Sequence, residues 1–213
     1  NARTASADYS GKLRVGLPKE RVCRSFFSIF EKAREKYPNI KTDLKFYSEN
    51  GLLRAIDDKT ADFVVSFGTA RSEDAESLCL CSHKNYAVLP RFHPLARQTS
   101  LSFQELRYEN FLTLSYKVSG IEFDRIIVQA GISRFSPHLV AEAGSVAELL
   151  TMIALGKGVS VLTDDYKEMA KDPVVFIPVD DIAPTKEYLI WRKNNDVCQK
   201  ILIDLIKDSL QSI

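Results

Sequence analysis

The run Phe63-Val64-Val65-Ser66-Phe67 is apolar at four of five consecutive positions. A strand with one wet face alternates polar and apolar residues. A continuous run therefore predicts a strand covered on both faces, as in a parallel sheet flanked by helices. The preceding segments agree. Leu13, Val15 and Leu17 alternate with Arg14 and Gly16, a strand pattern stopped by Pro18. Val22, Phe26, Ile29, Phe30, Ala33 and Tyr37 fall on one helical face, and Pro38 closes that helix. Leu44 and Phe46 mark a second strand, and residues 48–51 turn into a short helix through Leu52, Leu53 and Ile56. The first third of the chain reads as β-α-β-α-β.

The pattern then restarts. Tyr86-Ala87-Val88-Leu89 reads as a strand ended by Pro90, and residues 111–114 as another. A helix over 119–131 follows, with Phe123, Ile126, Ile127 and Ala130 on one side. Residues 138–142 form a strand, Ser145 opens a helix, and 159–162 form the strand after it. Segments 174–179 and 188–191 are two more strands, and Val197, Ile201, Leu205 and Ile206 mark a last amphipathic helix. The block from Gly144 to Leu162 is a capped helix running into a strand. Ser145 can accept from the free N–H groups of the first turn, and Gly156 or Gly158 can supply the left-handed residue that ends it. The fold class expected is α/β with two successive Rossmann-like lobes and a cleft between them.

Composition excludes several functions. With 29 Lys and Arg against 28 Asp and Glu, the net charge is +1 and no basic cluster with interleaved aromatics appears. Nucleic-acid binding by this segment alone is disfavoured. No apolar run is long enough to span a bilayer, and no signal-peptide core is visible at the start. Cys23, Cys79, Cys81 and Cys198 do not suggest a disulfide framework in 213 residues. A cytoplasmic location is expected. No Gly-x-Ser-x-Gly elbow is present, and Gly156-Lys157-Gly158 follows a helix, the reverse of a dinucleotide loop. His93 has no nearby nucleophile, so His93-Pro94 reads as a structural corner. The chain is not expected to be an enzyme or to need a cofactor.

Ligands of open parallel sheets sit beyond the carboxyl ends of strands. That rule nominates Pro18, Lys19 and Glu20; Ser48, Glu49 and Asn50; Gly68 and Thr69; Tyr116, Lys117 and Ser119; and Glu142, Ser145 and Val146. Helix starts at Ser119 and Ser145 favour anions, although plain N-capping explains both serines as well. Cys79, Cys81 and His83 alternate as along a strand, which would put them on one face. A metal or redox sensor through these three is the alternative, set against the commoner buried, inert thiol.

In order, Leu13-Arg14-Val15-Gly16, Tyr37-Pro38, Ala61-Asp62-Phe63-Val64-Val65, His93-Pro94-Leu95-Ala96, the segment 146–162 and Ile190-Trp191-Arg192 resemble the effector-binding domain of LysR-type transcriptional regulators. The resemblance covers roughly residues 12–210. It implies a fold like type 2 periplasmic binding proteins, two lobes joined by two crossover strands, here 86–89 and 188–191. The implied division is a lead-in or tag remnant over 1–11, lobe I over 12–88, lobe II over 89–184, and a return to lobe I over 185–213.

It also implies a small-molecule effector in the cleft, and operator DNA as a partner only through an N-terminal domain that this segment lacks. A homodimer is implied as well, with helix 22–37 of one copy against helix 121–131 of the other. Phe27, off the main apolar line of its helix, fits such a face. One departure is Glu49, which stands where the family often carries Ser or Thr. A cleft carboxylate disfavours a simple anionic effector unless it is paired, for instance with Lys19 or Lys117. The competing reading with the same two-lobed plan is a solute-binding protein of transport.

Overall fold

The computed structural model describes residues 10–69, 73–170, 173–193 and 196–210. The expected lead-in therefore lies almost wholly outside the described residues. Strands β1 (Gly11–Pro18), β2 (Ile40–Tyr47) and β3 (Phe63–Ser66) pair in parallel, linked by helices α1 (Arg24–Lys36) and α2 (Glu49–Asp57). Strand β4 (Ala75–His83) and a returning strand, Thr185–Arg192, complete this sheet on the far side of β3, both pairings of the returning strand being antiparallel.

The apolar run behaves as its pattern predicts. Phe63 and Val65 pack with Phe26 and Ile29 of α1, while Val64 packs with Leu52 and Ile56 of α2. Burial on both faces removes the need for alternation.

The second lobe is built around β5 (Asn85–Pro90). Strands β6 (Asn110–Leu114) and β7 (His138–Ala143) pair in parallel, with α3 (Gly120–Ile132) between them in sequence. Helix α4 (Val146–Ala154) leads to β8 (Ser160–Thr163), which with β9 (Val174–Pro178) flanks β5 antiparallel. A parallel bridge from Phe111 to Val159 ties the two sets together. The returning strand is β10 (Thr185–Arg192), and α5 (Val197–Leu210) packs Leu202 and Ile206 back onto the first core.

Two expectations are corrected. Residues 86–89 are not a crossover but the middle of the second sheet, because β5 pairs there on both sides. The passage between sheets falls at Lys84, so a boundary after residue 88 would cut a paired strand. Residues 188–191 likewise pair within the first sheet, and the return passage falls at 183–184. The two passages lie side by side. The Asn85 side-chain amide donates to the Ala183 carbonyl at 2.8 Å, and the Thr185 hydroxyl donates to Asn85 Oδ1 at 3.3 Å. Val22 and Ile127, expected on apolar core lines, are instead exposed, whereas Phe27 is exposed as its place off that line suggests.

Local signals held well at the capped helix. Ser145 Oγ accepts from the Glu148 backbone N–H at 3.2 Å, and Gly156 takes the left-handed conformation at φ 72°. Gly158 serves a different need: a Cβ there would lie 2.4 Å from the Asn110 carbonyl oxygen. His93 caps a short 3-10 turn through Nδ1 and the Leu95 N–H, and its Nε2 contacts Glu109. It is the structural corner its sequence suggested.

Candidate functional site: the interlobe cleft

The carboxyl ends of β1 and β2 face the start of α3 across a narrow pocket of about 10 Å³, close to the room one water needs. Pro18, Lys19, Glu20, Ser48, Glu49 and Ser119, nominated from sequence, line it together with Arg21, Tyr47, Val118 and Tyr166. Larger hollows lie elsewhere, one against Phe30 and Tyr37 and another against Arg14 and Lys59. Among the described residues, the cleft pocket gathers polar groups from both lobes, which is what an orienting site requires.

The remaining nominees do not line it. Asn50 Nδ2 donates to the Tyr116 carbonyl at 3.1 Å across the cleft, and the Tyr116 ring stands edge-on to Phe123. Gly68 donates its N–H to Ser66 Oγ, while Thr69, Lys117 and Glu142 are exposed. Ser145 and Val146 form the start of α4, and the Val146 N–H donates to Glu20 Oε2 at 3.1 Å. The anion-favouring helix end is thus occupied by a carboxylate of the other lobe.

Glu49 needs a correction of another kind. Its carboxylate accepts from Ser66 Oγ at 2.8 Å and from the Phe67 backbone N–H at 2.7 Å, so lobe I itself satisfies it. Pairing with Lys19 or Lys117 is not needed, and both lysines are exposed.

The floor of the cleft was not read from sequence. Arg21 is buried, donates to Thr163 Oγ1 at 3.1 Å and to Asp165 Oδ2 at 3.2 Å, and pairs with Glu122. Its guanidinium lies 3.7 Å from the Phe67 ring centroid and 4.7 Å from that of Tyr166. Burial opposes the Arg21 charge, but Tyr166, Asp165 and Glu49 together hold its pKa above the ordinary guanidinium value. Arg125 shares Glu122 and reaches Thr185 Oγ1 at the hinge. Burial, and then the like charge of Arg21, lower its pKa to about 9. The Tyr166 hydroxyl is buried without a hydrogen-bond partner among the described residues, and burial pushes its pKa up.

A second cluster lies at the hinge. His83 Nδ1 is 2.7 Å from Asp164 Oδ1, and its Nε2 is 3.0 Å from Glu187 Oε2 and 3.2 Å from Cys81 Sγ. Burial works against the imidazolium, yet its contacts with Cys81, Glu187 and Asp164 raise its pKa to about 11. The expected grouping of Cys79 with these residues is overturned by register. Cys79 pairs with Tyr188 and Cys81 with Glu187, so Leu80 is an extra residue bulged out of β4. Adjacent residues of β10 point to opposite faces, and Cys79 therefore faces away from Cys81.

One signal for these residues was available. The rule that nominated five loops applies equally to the loop after 159–162, where Thr163, Asp164 and Asp165 stand. Nothing local marks Arg21 or Glu187, and Glu122, although it also pairs with Arg125 on its own helix, meets Arg21 only across a hundred residues.

Two α/β lobes hinged by paired strands and closing on a polar pocket define a small-molecule-binding module. The chain matches the family model described as LysR substrate binding domain over residues 6–211, and it belongs to that family. It is a LysR-type effector-binding domain.

An uncharacterised HTH-type transcriptional regulator of Escherichia coli K12, YnfL, is 23% identical over 88% of this chain and 64% of its own length. The HTH-type regulator AlsR of Bacillus subtilis 168 is 23% identical over 91% of the chain, again 64% of its own length. The chain thus spans about 64% of these curated relatives. Among solved structures, the effector-binding domain of QuiR in complex with shikimate superposes with a TM-score of 0.83 at 14% identity, covering 96% of this chain and 99% of that one. The BenM effector-binding domain with benzoate gives 0.80 at 16%, covering 96% and 94%. At these identities the likeness establishes the fold, the two-lobed plan of type 2 periplasmic binding proteins. No helix among the described residues is long and apolar enough to cross a membrane.

Proposed function

We propose that the cleft takes a small polar effector and that its closure is passed to a DNA-binding domain elsewhere in a longer regulator. The carrying observation is the Tyr166 hydroxyl, buried at the pocket wall without a partner, because a stranded polar group costs roughly 1–3 kcal/mol until something bonds to it. The lining carries both signs, Lys19 and Arg21 with Glu20 and Glu49, of which Arg21, Glu20 and Glu49 already have partners within the protein and Lys19 is exposed. That favours an effector carrying both donors and acceptors, such as an amino acid or a hydroxy acid, over a simple anion. QuiR and BenM, of the same fold, are described with shikimate and benzoate, both small carboxylates. Relatives named as transcriptional regulators support a cytoplasmic regulator over a transport protein or an enzyme.

Dimerisation fits the exposed apolar residues. Phe27 on α1 and Ile127, Val128 and Ile132 on α3 are all exposed, on the helices expected to meet across a homodimer. Operator DNA is a partner of the whole regulator, reached through a domain outside this chain.

A thermal-shift screen of amino acids, hydroxy acids, aromatic acids and amines tests the effector reading. A ligand at 100 times its Kd stabilises by about 2.7 kcal/mol. A hit weakened by both Tyr166→Phe and Ser119→Ala supports the cleft. A hit indifferent to both would move the effector elsewhere.

A further inference from the structure

The hinge cluster goes beyond effector binding. We propose that Cys81, His83 and Glu187 form a binding site for a borderline divalent transition ion of the zinc type.

Donor chemistry comes first. Thiolate, imidazole and carboxylate are the three ligand types zinc takes from proteins, and the mixture suits a borderline ion better than magnesium or calcium. Cys81 Sγ, His83 Nε2 and Glu187 Oε2 are separated by 3.2, 3.0 and 3.6 Å. With metal–ligand bonds of about 2.0–2.3 Å, tetrahedral ligands stand roughly 3.3–3.7 Å apart. The two shorter edges need to lengthen by only a few tenths of an ångström.

The outer contacts are those of a metal site. A ligating histidine usually gives its other ring nitrogen to a carboxylate, which fixes the tautomer and the ring. His83 Nδ1 does so with Asp164 at 2.7 Å, leaving Nε2 for the ion. Ser25 Oγ donates to Glu187 Oε1, leaving Oε2 for the site. Glu187 is 1% exposed, so it is held rigidly.

The surroundings supply further support. Besides Glu187 and Asp164, the Asp165 side chain presents Oδ1 at 3.9 Å from His83 Nδ1, with no hydrogen-bond partner among the described residues, while its other oxygen accepts from Arg21. A divalent ion in place of the His83 Nε2 and Cys81 Sγ protons leaves the net charge of the cluster unchanged, so these carboxylates keep a cation among them. Cys81 and Asp164 are partly exposed and give the ion a way in.

The ion would sit between lobes. Cys81, His83 and Glu187 belong to β4 and β10, whereas Asp164 follows β8 in the second lobe and tightens on His83 when the ring is metallated.

The test uses Co²⁺ as the probe, titrated into reduced, chelator-stripped protein and followed by absorption. One equivalent is expected to bind with a thiolate-to-cobalt charge-transfer band that Zn²⁺ bleaches. Cys81→Ser is expected to abolish the band, Cys79→Ser to leave it unchanged, and Asp164→Asn to weaken affinity about 10–100-fold. No charge-transfer band with one equivalent of Co²⁺, a band surviving Cys81→Ser, or a band lost in Cys79→Ser alone would overturn the site.

Discussion

Glu20 reaches from the first lobe to the second and accepts the Val146 backbone N–H at the start of α4, at 3.1 Å. Free N–H groups at a helix start attract an anion, and here the protein supplies its own. The contact holds the lobes together and denies that helix end to an external carboxylate.

Glu20→Ala is therefore expected to let a small carboxylate compete for α4. Affinity for such ligands, read by calorimetry, should rise about 2–5-fold, the equivalent of roughly 0.3–1 kcal/mol for a charge at a helix end. Lower affinity in the variant would mean that Glu20 holds the effector rather than excluding it.

Arg21 is the cation on which the cleft floor depends. Arg21→Met leaves Glu122 with Arg125 alone and strips Asp165 of the only ion-pair partner it has besides His83 among the described residues. Breaking a buried pair in this way costs about 3–5 kcal/mol. A loss of roughly 6–20 °C in Tm should follow for a chain of this size. The double variant Arg21→Met/Glu122→Gln should recover part of it, and a single variant as stable as the parent would show the network to be idle.

Asp62 sets an acid limit where β1 meets the start of β3. Burial pushes its pKa up, but the Arg14 guanidinium at 2.6 Å and the Arg14 backbone N–H at 2.8 Å outweigh that and hold it below the ordinary value. A depressed carboxylate stabilises fully above its unfolded pKa of about 4, and the benefit disappears as pH falls through the folded value. The stability gap between wild type and Asp62→Asn in urea should be constant from pH 7 to about 5 and close below about 4. A gap independent of pH would remove this pair from the account.

Two glycines should respond oppositely. Gly158→Ala forces a Cβ against the Asn110 carbonyl and should cost about 1–3 kcal/mol. Gly131, helical and open to solvent, should gain about 0.5–1 kcal/mol from the same change. Chemical denaturation of both variants checks the pair; equal effects would contradict the geometry.

The sequence carried the lobes because their signals are local. Apolar periodicity placed α1, α3 and α4 within a few residues of where they lie, and the unbroken run at Phe63 forecast a doubly covered strand. Element boundaries are local in the same way: Pro18 ends β1, Ser48 and Ser119 precede α2 and α3, and all three line the pocket. What could not be read was anything decided by long-range register. The bulge at Leu80 depends on how β4 meets β10, some hundred residues later, and it separates Cys79 from Cys81 although their spacing suggests one face. Arg21 looks like any charged loop residue until Glu122 and Asp165 arrive around it. Residues 86–89 were misplaced because a buried strand looks the same in whichever sheet it joins.

The clasp between Asn85, Ala183 and Thr185 has a mechanical meaning. Two adjacent passages stitched together would work as a single axle, confining any swing of one lobe against the other to rotation about their common line. Energy released on filling the cleft would then emerge as that rotation, whatever the chemistry of the molecule that filled it. A sensor hinged in this way can exchange its ligand specificity in evolution while its output movement stays the same.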